Sequence, residues 1–231
     1  MLKILYYIFI FPLESGMKFI FIQTYNIFNN YGISIILMSL VVNIVLLPLY
    51  YLAEHWQGKE REIRKKMQPE LDKIKNAFKG EKRYYYTKAV YKRFHYHPIN
   101  SIRVSFGFLI QVPFFIAAYH FLSHYEGVVG ISFLFVNDLS QPDSLLKFNN
   151  IAINILPFIM TFINILSAYI YTKNLGKSDK IQLWLLALLF LVLLYNVPSA
   201  LVLYWTLNNI FSLIKNTFSV YVLKVKSLTL E

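Results

Sequence analysis

Cysteine is absent from this chain. That excludes a disulfide, a thiolate metal site, a thiol nucleophile and a lipid-modified N-terminal cysteine. Histidine is scarce, at five scattered positions, which leaves little for a metal centre. Charge is scarce too: 15% of residues are Asp, Glu, Lys or Arg, against 57% apolar. There is no phosphate-cradling loop, HExxH pair or Gly-rich cofactor turn. Ser199 and Tyr204 have no His–carboxylate companions in the apolar blocks. His120 and His124 stand four apart with Glu126 nearby, but two histidines at a helix end without a clear third ligand are usually interfacial side chains. No enzyme, no metal and no cofactor is expected.

What the sequence does have is long apolar blocks, at 31–53, 104–122, 151–172, 181–197 and 199–223. A soluble domain rarely carries such blocks, and roughly 20 apolar residues cross a bilayer as a helix. The fourth block is the shortest; its ~17 residues make about 26 Å of helix, the low end of a span. Only "PSA" separates it from the fifth, so a tight helical hairpin turning at Pro198 is expected. The apolar run before Pro12 is too short to span and no A-x-A cleavage site follows, so residues 1–30 are expected to lie in the interface. The fold class is all-α integral membrane protein with five transmembrane helices.

The placement of charge orients the spans. Residues 54–103 hold 14 of the 23 Lys/Arg, whereas 123–150 hold only Lys147 beside Glu126, Asp138 and Asp143. Lys173, Lys177 and Lys180 occupy the next loop, and Lys224 and Lys226 the tail. The positive-inside rule then puts loop 54–103 and the short tail 224–231 in the cytoplasm, with the N-terminus outside. Within the long loop, Ile63, Met67, Leu71, Ile74 and Phe78 recur at helical steps among charges. Pro69 should kink or restart that helix, and Gly80 should separate it from a second, aromatic one ending before Pro98. A cytoplasmic helical hairpin is expected. Its basic excess fits attraction to anionic headgroups, at about 1 kcal/mol per residue, and no base-reading motif points to a specific nucleic acid.

Taken in order, these segments resemble the YidC/Oxa/Alb family of membrane protein insertases. "NYGISIILMSLVVNIVLLPL" (30–49) is similar to the family's first conserved span, and "KMQPELDKIK" (66–75) to the Gln-Pro element opening its cytoplasmic hairpin. "LIQVPFFIAAY" (109–119) matches its most recognisable segment. "DLSQPDSLL" (138–146) resembles its external loop, Leu156–Pro157 the opening of the next span, and "VPSALVLYWTLNNIFSLIKN" (197–216) the last span. The resemblance covers about residues 10–218. It implies an insertase-type fold in which residues 31–223 form the five-span core. It also implies a hydrophilic groove, open to cytoplasm and lipid, into which a client's polar segment slides.

The polar residues within the spans bear on that groove. Asn154, Thr161, Asn164 and Ala168 fall on one face of span three, and Thr206, Asn209, Leu213 and Asn216 on one face of span five. Ser39 and Asn43 pair in span one; Gly107, Gln111 and Ala118 align in span two. Such residues face an interior or a cavity, or else glue helices at about 0.6 kcal/mol per interaction. Glue is the reading for Thr161, Thr206 and Asn216. The groove set is Asn43, Gln111, Ser39, Asn164, Asn209 and Arg103. Asn43 occupies the position where the resemblance implies an arginine, and Arg103, about 12 Å nearer the cytoplasm than Gln111, could charge only the groove's mouth.

Three functions compete, in this order. The first is an insertase and chaperone for client membrane proteins, with membrane lipids, the ribosome and the Sec translocon as further candidate partners. The second is a divergent paralogue that assembles or scaffolds one membrane partner. The third is a transporter or membrane enzyme, which lacks paired intramembrane charges and a catalytic set. With no Arg/Ser-rich transit segment ahead of the match, a bacterial cytoplasmic (inner) membrane is the expected location.

Overall fold

The computed structural model describes residues 4, 6–100, 106–148, 151–171 and 177–228 and is mostly helical. The chain divides into two compact bodies, residues 1–45 with 113–231, and residues 46–112.

In the first body a wide π turn, Tyr6–Ile10, leads into α1 (Phe11–Phe28). Pro12 lies in the first turn of α1, where its missing N–H has no partner to lose. The helix stops at Asn29, whose left-handed backbone (φ 49°) turns its N–H onto the Tyr25 carbonyl at 2.7 Å. Buried Phe21 meets the rings of Phe121 and Tyr125 at 5.2 and 5.3 Å.

Next comes α2 (Tyr31–Ala77), 47 residues without interruption. The sequence suggested a span ending near residue 53 and a kink or restart at Pro69. Both Pro48 and Pro69 sit inside one helix, which therefore does not restart at Pro69. Pro69 is exposed, so solvent meets the carbonyl that loses its partner. Gly32, near the start of α2, is required sterically: the ring of Phe133 occupies the place a Cβ would take.

Within the first body α4 (Phe106–His124) is followed by a loop. It buries Val128, Val136 and Leu139 and closes with a two-stranded hairpin, β1 (Leu146–Phe148) against β2 (Ile151–Ile153), with Lys147 opposite Ala152. Residues 151–155 were expected to open span three; β-branched Ile151 and Ile153 pair as a strand instead, and α5 runs Leu156–Tyr171. It packs against both α6 (Lys177–Leu194) and α7 (Ser199–Leu228). The turn between those two does fall at Tyr195–Pro198, where Phe190 stacks on Trp205 at 5.0 Å.

In the second body α2 carries the expected stripe. Met67 is buried with Val90 and Tyr96, and Ile63, Leu71 and Ile74 pack on them together with Tyr91 and Phe94. The returning helix, α3 (Gly80–Arg93), begins at Gly80 with φ +59°, a conformation suited to glycine. Phe78 and Tyr86 stack across the turn at 4.5 Å.

Among the described residues, α2 alone is long and apolar enough, by length and composition, to cross a membrane. Leu109–His124, Leu156–Ile170 and Leu183–Leu194 are shorter apolar stretches.

Candidate functional site

Ser39 and Asn43 sit one turn apart on α2, so both side chains point the same way. Ser39 Oγ donates to Asn208 Oδ1 on α7 at 3.0 Å. Asn43 Nδ2 donates to the same oxygen and to the Ser39 carbonyl, the latter at 2.9 Å. Ser39 and Asn43 are each 1% exposed and Asn208 7%. A cluster of three polar side chains thus lies inside an apolar bundle, its members hydrogen-bonded to one another. Two donors beside it on α7 are different. Asn209 Nδ2 and Trp205 Nε1, one turn apart, are buried and find no partner among the described residues. Thr206 between them returns its hydroxyl to the Val202 carbonyl at 2.7 Å.

Asn208 escaped the sequence reading. The periodic stripe Thr206, Asn209, Leu213, Asn216 favoured its neighbour, and Asn208 lies about 100° around the helix from that line. The adjacent pair "NN" was the available signal.

The remaining expected groove residues are dispersed. Gln111, half-buried in the second body, donates from Nε2 to Tyr50 Oη at 2.7 Å. Asn164 is half-buried on α5. Arg103 lies outside the described residues. Asn154 is no part of a span-three stripe. It precedes α5, where its Nδ2 reaches the Tyr195 carbonyl at 2.7 Å and its Oδ1 accepts the Ser144 N–H at 3.0 Å. Of the residues read as glue, Asn216 does bridge helices, through Nδ2 to Ser167 Oγ at 3.1 Å. Thr161 bonds within its own helix, to the Pro157 carbonyl.

The loop between α4 and α5 supplies caps. Asp143 accepts the N–H groups of Ile155 and Leu156 at 2.6 and 3.2 Å, satisfying the start of α5. The start of α7 is satisfied from afar: the Ser199 N–H and Oγ reach the Gln141 carbonyl at 2.8 and 2.6 Å, and the Ala200 N–H reaches that of Leu139 at 2.9 Å. Asp138 takes the N–H and Oγ of Ser140, both at 2.8 Å, and the Gly130 N–H at 3.1 Å. Partial burial pushes its carboxyl upward, but these donors outweigh it and hold the group below its ordinary value.

Two further clusters went unseen in the sequence. Glu14 of α1 accepts from Tyr6 and lies 2.9 Å from His120 Nδ1; it is Glu14, not Glu126, that joins the histidine pair. In the second body Glu60, 1% exposed, takes Tyr96 Oη at 2.6 Å and Arg64 Nε at 3.2 Å, and its other oxygen has no partner among the described residues. Burial, then the bond to Glu60, raises the Tyr96 phenol above its ordinary value.

The profile of the family described as "60Kd inner membrane protein" matches residues 23–226. The "Membrane protein insertase YidC" of Treponema denticola is 31% identical over 226 residues, covering 90% of this chain and 37% of that protein. That of Leptospira interrogans serogroup Icterohaemorrhagiae serovar Lai is 27% identical over 216 residues, covering 87% and 33%. The chain therefore spans little more than a third of these relatives. A crystal structure described as an active YidC insertase with its first transmembrane domain resolved superposes with a TM-score of 0.60 at 24% identity, over 88% of this chain and 45% of that one.

Proposed function

This chain belongs to the YidC/Oxa/Alb family, that of the 60Kd inner membrane protein, and from that premise we propose that it is a membrane protein insertase and chaperone. It helps clients enter and fold in the bilayer through a hydrophilic groove. The five apolar blocks cross a bacterial inner membrane with the N-terminus outside, and the α2–α3 hairpin and the C-terminus in the cytoplasm. Clients and lipids are its partners, with the ribosome and the Sec translocon as candidates for delivery.

The observation that carries this reading is the polar interior on α2 and α7. In hydrocarbon an unsatisfied polar group costs several kcal/mol, yet among the described residues Asn209 Nδ2 and Trp205 Nε1, on the same helix as Asn208, find no partner. A polar guest, water or a client's hydrophilic segment, supplies the missing acceptors. Gln111, Asn164 and Arg103 are proposed as further residues that meet the client. No bond is broken in such work; the protein lowers the cost of moving polar groups through a thinned bilayer.

A second reading, a dedicated assembly factor for one membrane partner, draws on a specific observation. Asn43 is uncharged and its amide is already engaged by Asn208 and Ser39. One experiment separates the two: rescue of an insertase-depleted strain, scored on several single-spanning clients with short translocated tails. Insertion of many clients supports the insertase. Failure with all of them, in a strain where the protein is stably present in the membrane, replaces it with the assembly factor.

A further inference from the structure

Between α4 and β1 the chain makes a two-residue hairpin with an apolar tip. Phe133 and Val136 exchange both backbone hydrogen bonds, each at 2.9 Å, and the Leu139 N–H closes onto the Ile131 carbonyl at 2.9 Å. Leu134 and Phe135 form the tip, 73% and 49% exposed. Leu134 has φ 53°, a left-handed backbone that such short hairpins ordinarily give to Gly, Asn or Asp. A leucine there is strained, and the protein leaves its side chain largely uncovered. The fold alone would be better served by asparagine.

Depth, charge and backbone pairing identify what covers the tip. Its base is clamped to the start of span one, where the Phe133 ring fills the space beside Gly32, the second residue of α2. Leu134 is one residue, about 3.8 Å, beyond Phe133. The layer between hydrocarbon and water is about 5–7 Å deep on each face of a bilayer, so the tip lies at the level of the lipid headgroups. A soluble partner would have to displace that layer to reach two side chains. No charged residue occurs from Gly127 to Asn137, and the flanking ones, Glu126 and Asp138, are acidic. Attraction to anionic headgroups is thereby excluded, and apolar contact is left. The reciprocal bonds at Phe133 and Val136 also spare those backbone groups the cost of leaving water.

We infer that this hairpin is a membrane-surface anchor whose tip, Leu134 and Phe135, is buried among the lipids of the outer leaflet beside the outer end of α2. The anchor rests on the membrane reading above, with residues 123–150 outside. From Gly32 to Asn43 is about 16 Å along α2. An anchor at the level of Gly32 therefore holds the polar cluster near the middle of a hydrocarbon layer of about 30 Å.

The test uses the full chain in phosphatidylcholine nanodiscs, with an environment-sensitive fluorophore on a single cysteine, Leu134→Cys or Phe135→Cys. At both positions quenching by aqueous iodide should be several-fold weaker than at Lys82→Cys on exposed α3. A lipid nitroxide near the headgroup should quench both more than one at the chain end. Leu134→Asn, which suits the left-handed backbone, should leave the unfolding midpoint in detergent unchanged or raised. In the Phe135→Cys protein the same change should restore iodide access. Iodide quenching at the tip as strong as at Lys82→Cys would sink the proposal. So would a Leu134→Asn protein that loses stability in detergent while its probe stays shielded, or a tip that enters only discs containing phosphatidylglycerol. A photo-crosslinker at position 135 that captures a protein in place of lipid would assign the tip to that partner and overturn the anchor. Because depth is read without a client, a chain that fails the rescue yet keeps a shielded tip overturns the insertase reading alone.

Discussion

Replacing Asn43 and Asn208 by leucine, singly and together, tests the polar clasp directly. Asn208 Oδ1 holds two donors, Ser39 Oγ at 3.0 Å and Asn43 Nδ2. Asn208→Leu removes both bonds; interhelical bonds in membranes average about 0.6 kcal/mol and reach about 1.7, so a loss of about 1–2 kcal/mol is expected. Asn43→Leu removes one interhelical bond and leaves Ser39 paired, a loss of about 0.6–1.7 kcal/mol. The term of interest is the coupling between the two sites, which isolates their shared bond. It should fall at about 0.6–1.7 kcal/mol, outside the additivity of independent sites, roughly 0.3–0.5 kcal/mol. Unfolding of the four proteins in mixed micelles, by titration with a denaturing detergent, measures it. A coupling below about 0.3 kcal/mol would mean the two amides do not share a bond, and the clasp would have to be abandoned.

Asn43→Arg should widen the client range: a charge in a low-dielectric interior attracts acidic groups strongly, at a cost of about 2.5–3.5 kcal/mol for the buried cation. In the rescue assay, clients differing only in the acidic count of their tails should show a selective gain for acidic tails; equal insertion of every tail by both forms refutes electrostatic selection. Tyr96→Phe should cost about 1.5–3 kcal/mol by taking a donor from buried Glu60. Because the folded phenol titrates above its ordinary value of about 10, that contribution is full below pH 10 and is lost as pH climbs through the raised value. Hydrogen exchange across 60–96 should show this alkaline loosening in the wild type and not in the variant. The Asp138 carboxyl is lowered, so its contribution is present above about pH 3.9 and disappears as pH falls through the lower folded value. Exchange of the Gly130 and Ser140 amides, with Asp138→Asn as the pH-independent control, reads it; a wild type as flat as the control would contradict the assignment.

Much of this molecule is legible in its sequence because helical periodicity is a local signal. The stripe Ile63, Met67, Leu71, Ile74 needs only the 3.6-residue repeat, and it does pack. The helix does not restart at Pro69 because proline's effect depends on whether the N–H it lacks had a partner, and on whether the carbonyl it frees meets solvent. The strand at Ile151–Ile153 was hidden because a short apolar run has no period that separates strand from helix. The site was harder still. Asn43 stood out as an amide among leucines and valines, yet its partner lies 165 residues away. Nothing local distinguishes Asn208 from Asn209. Glu14 and His120 are likewise joined only by the fold.

The caps on α7 have a consequence for the order in which the chain itself assembles. Ser199 and Ala200 draw their acceptors from Gln141 and Leu139, residues synthesised some sixty positions earlier. In the proposed topology those carbonyls are already on the outer face when the last two helices cross. The turn at Pro198 therefore arrives carrying exposed donors toward a surface that already presents matching acceptors, so the final crossing ends in a latch. Retreat would require breaking three hydrogen bonds at once. The outer loop acts on the chain's own biogenesis as a ratchet tooth, favouring completion over slippage before any client has been engaged.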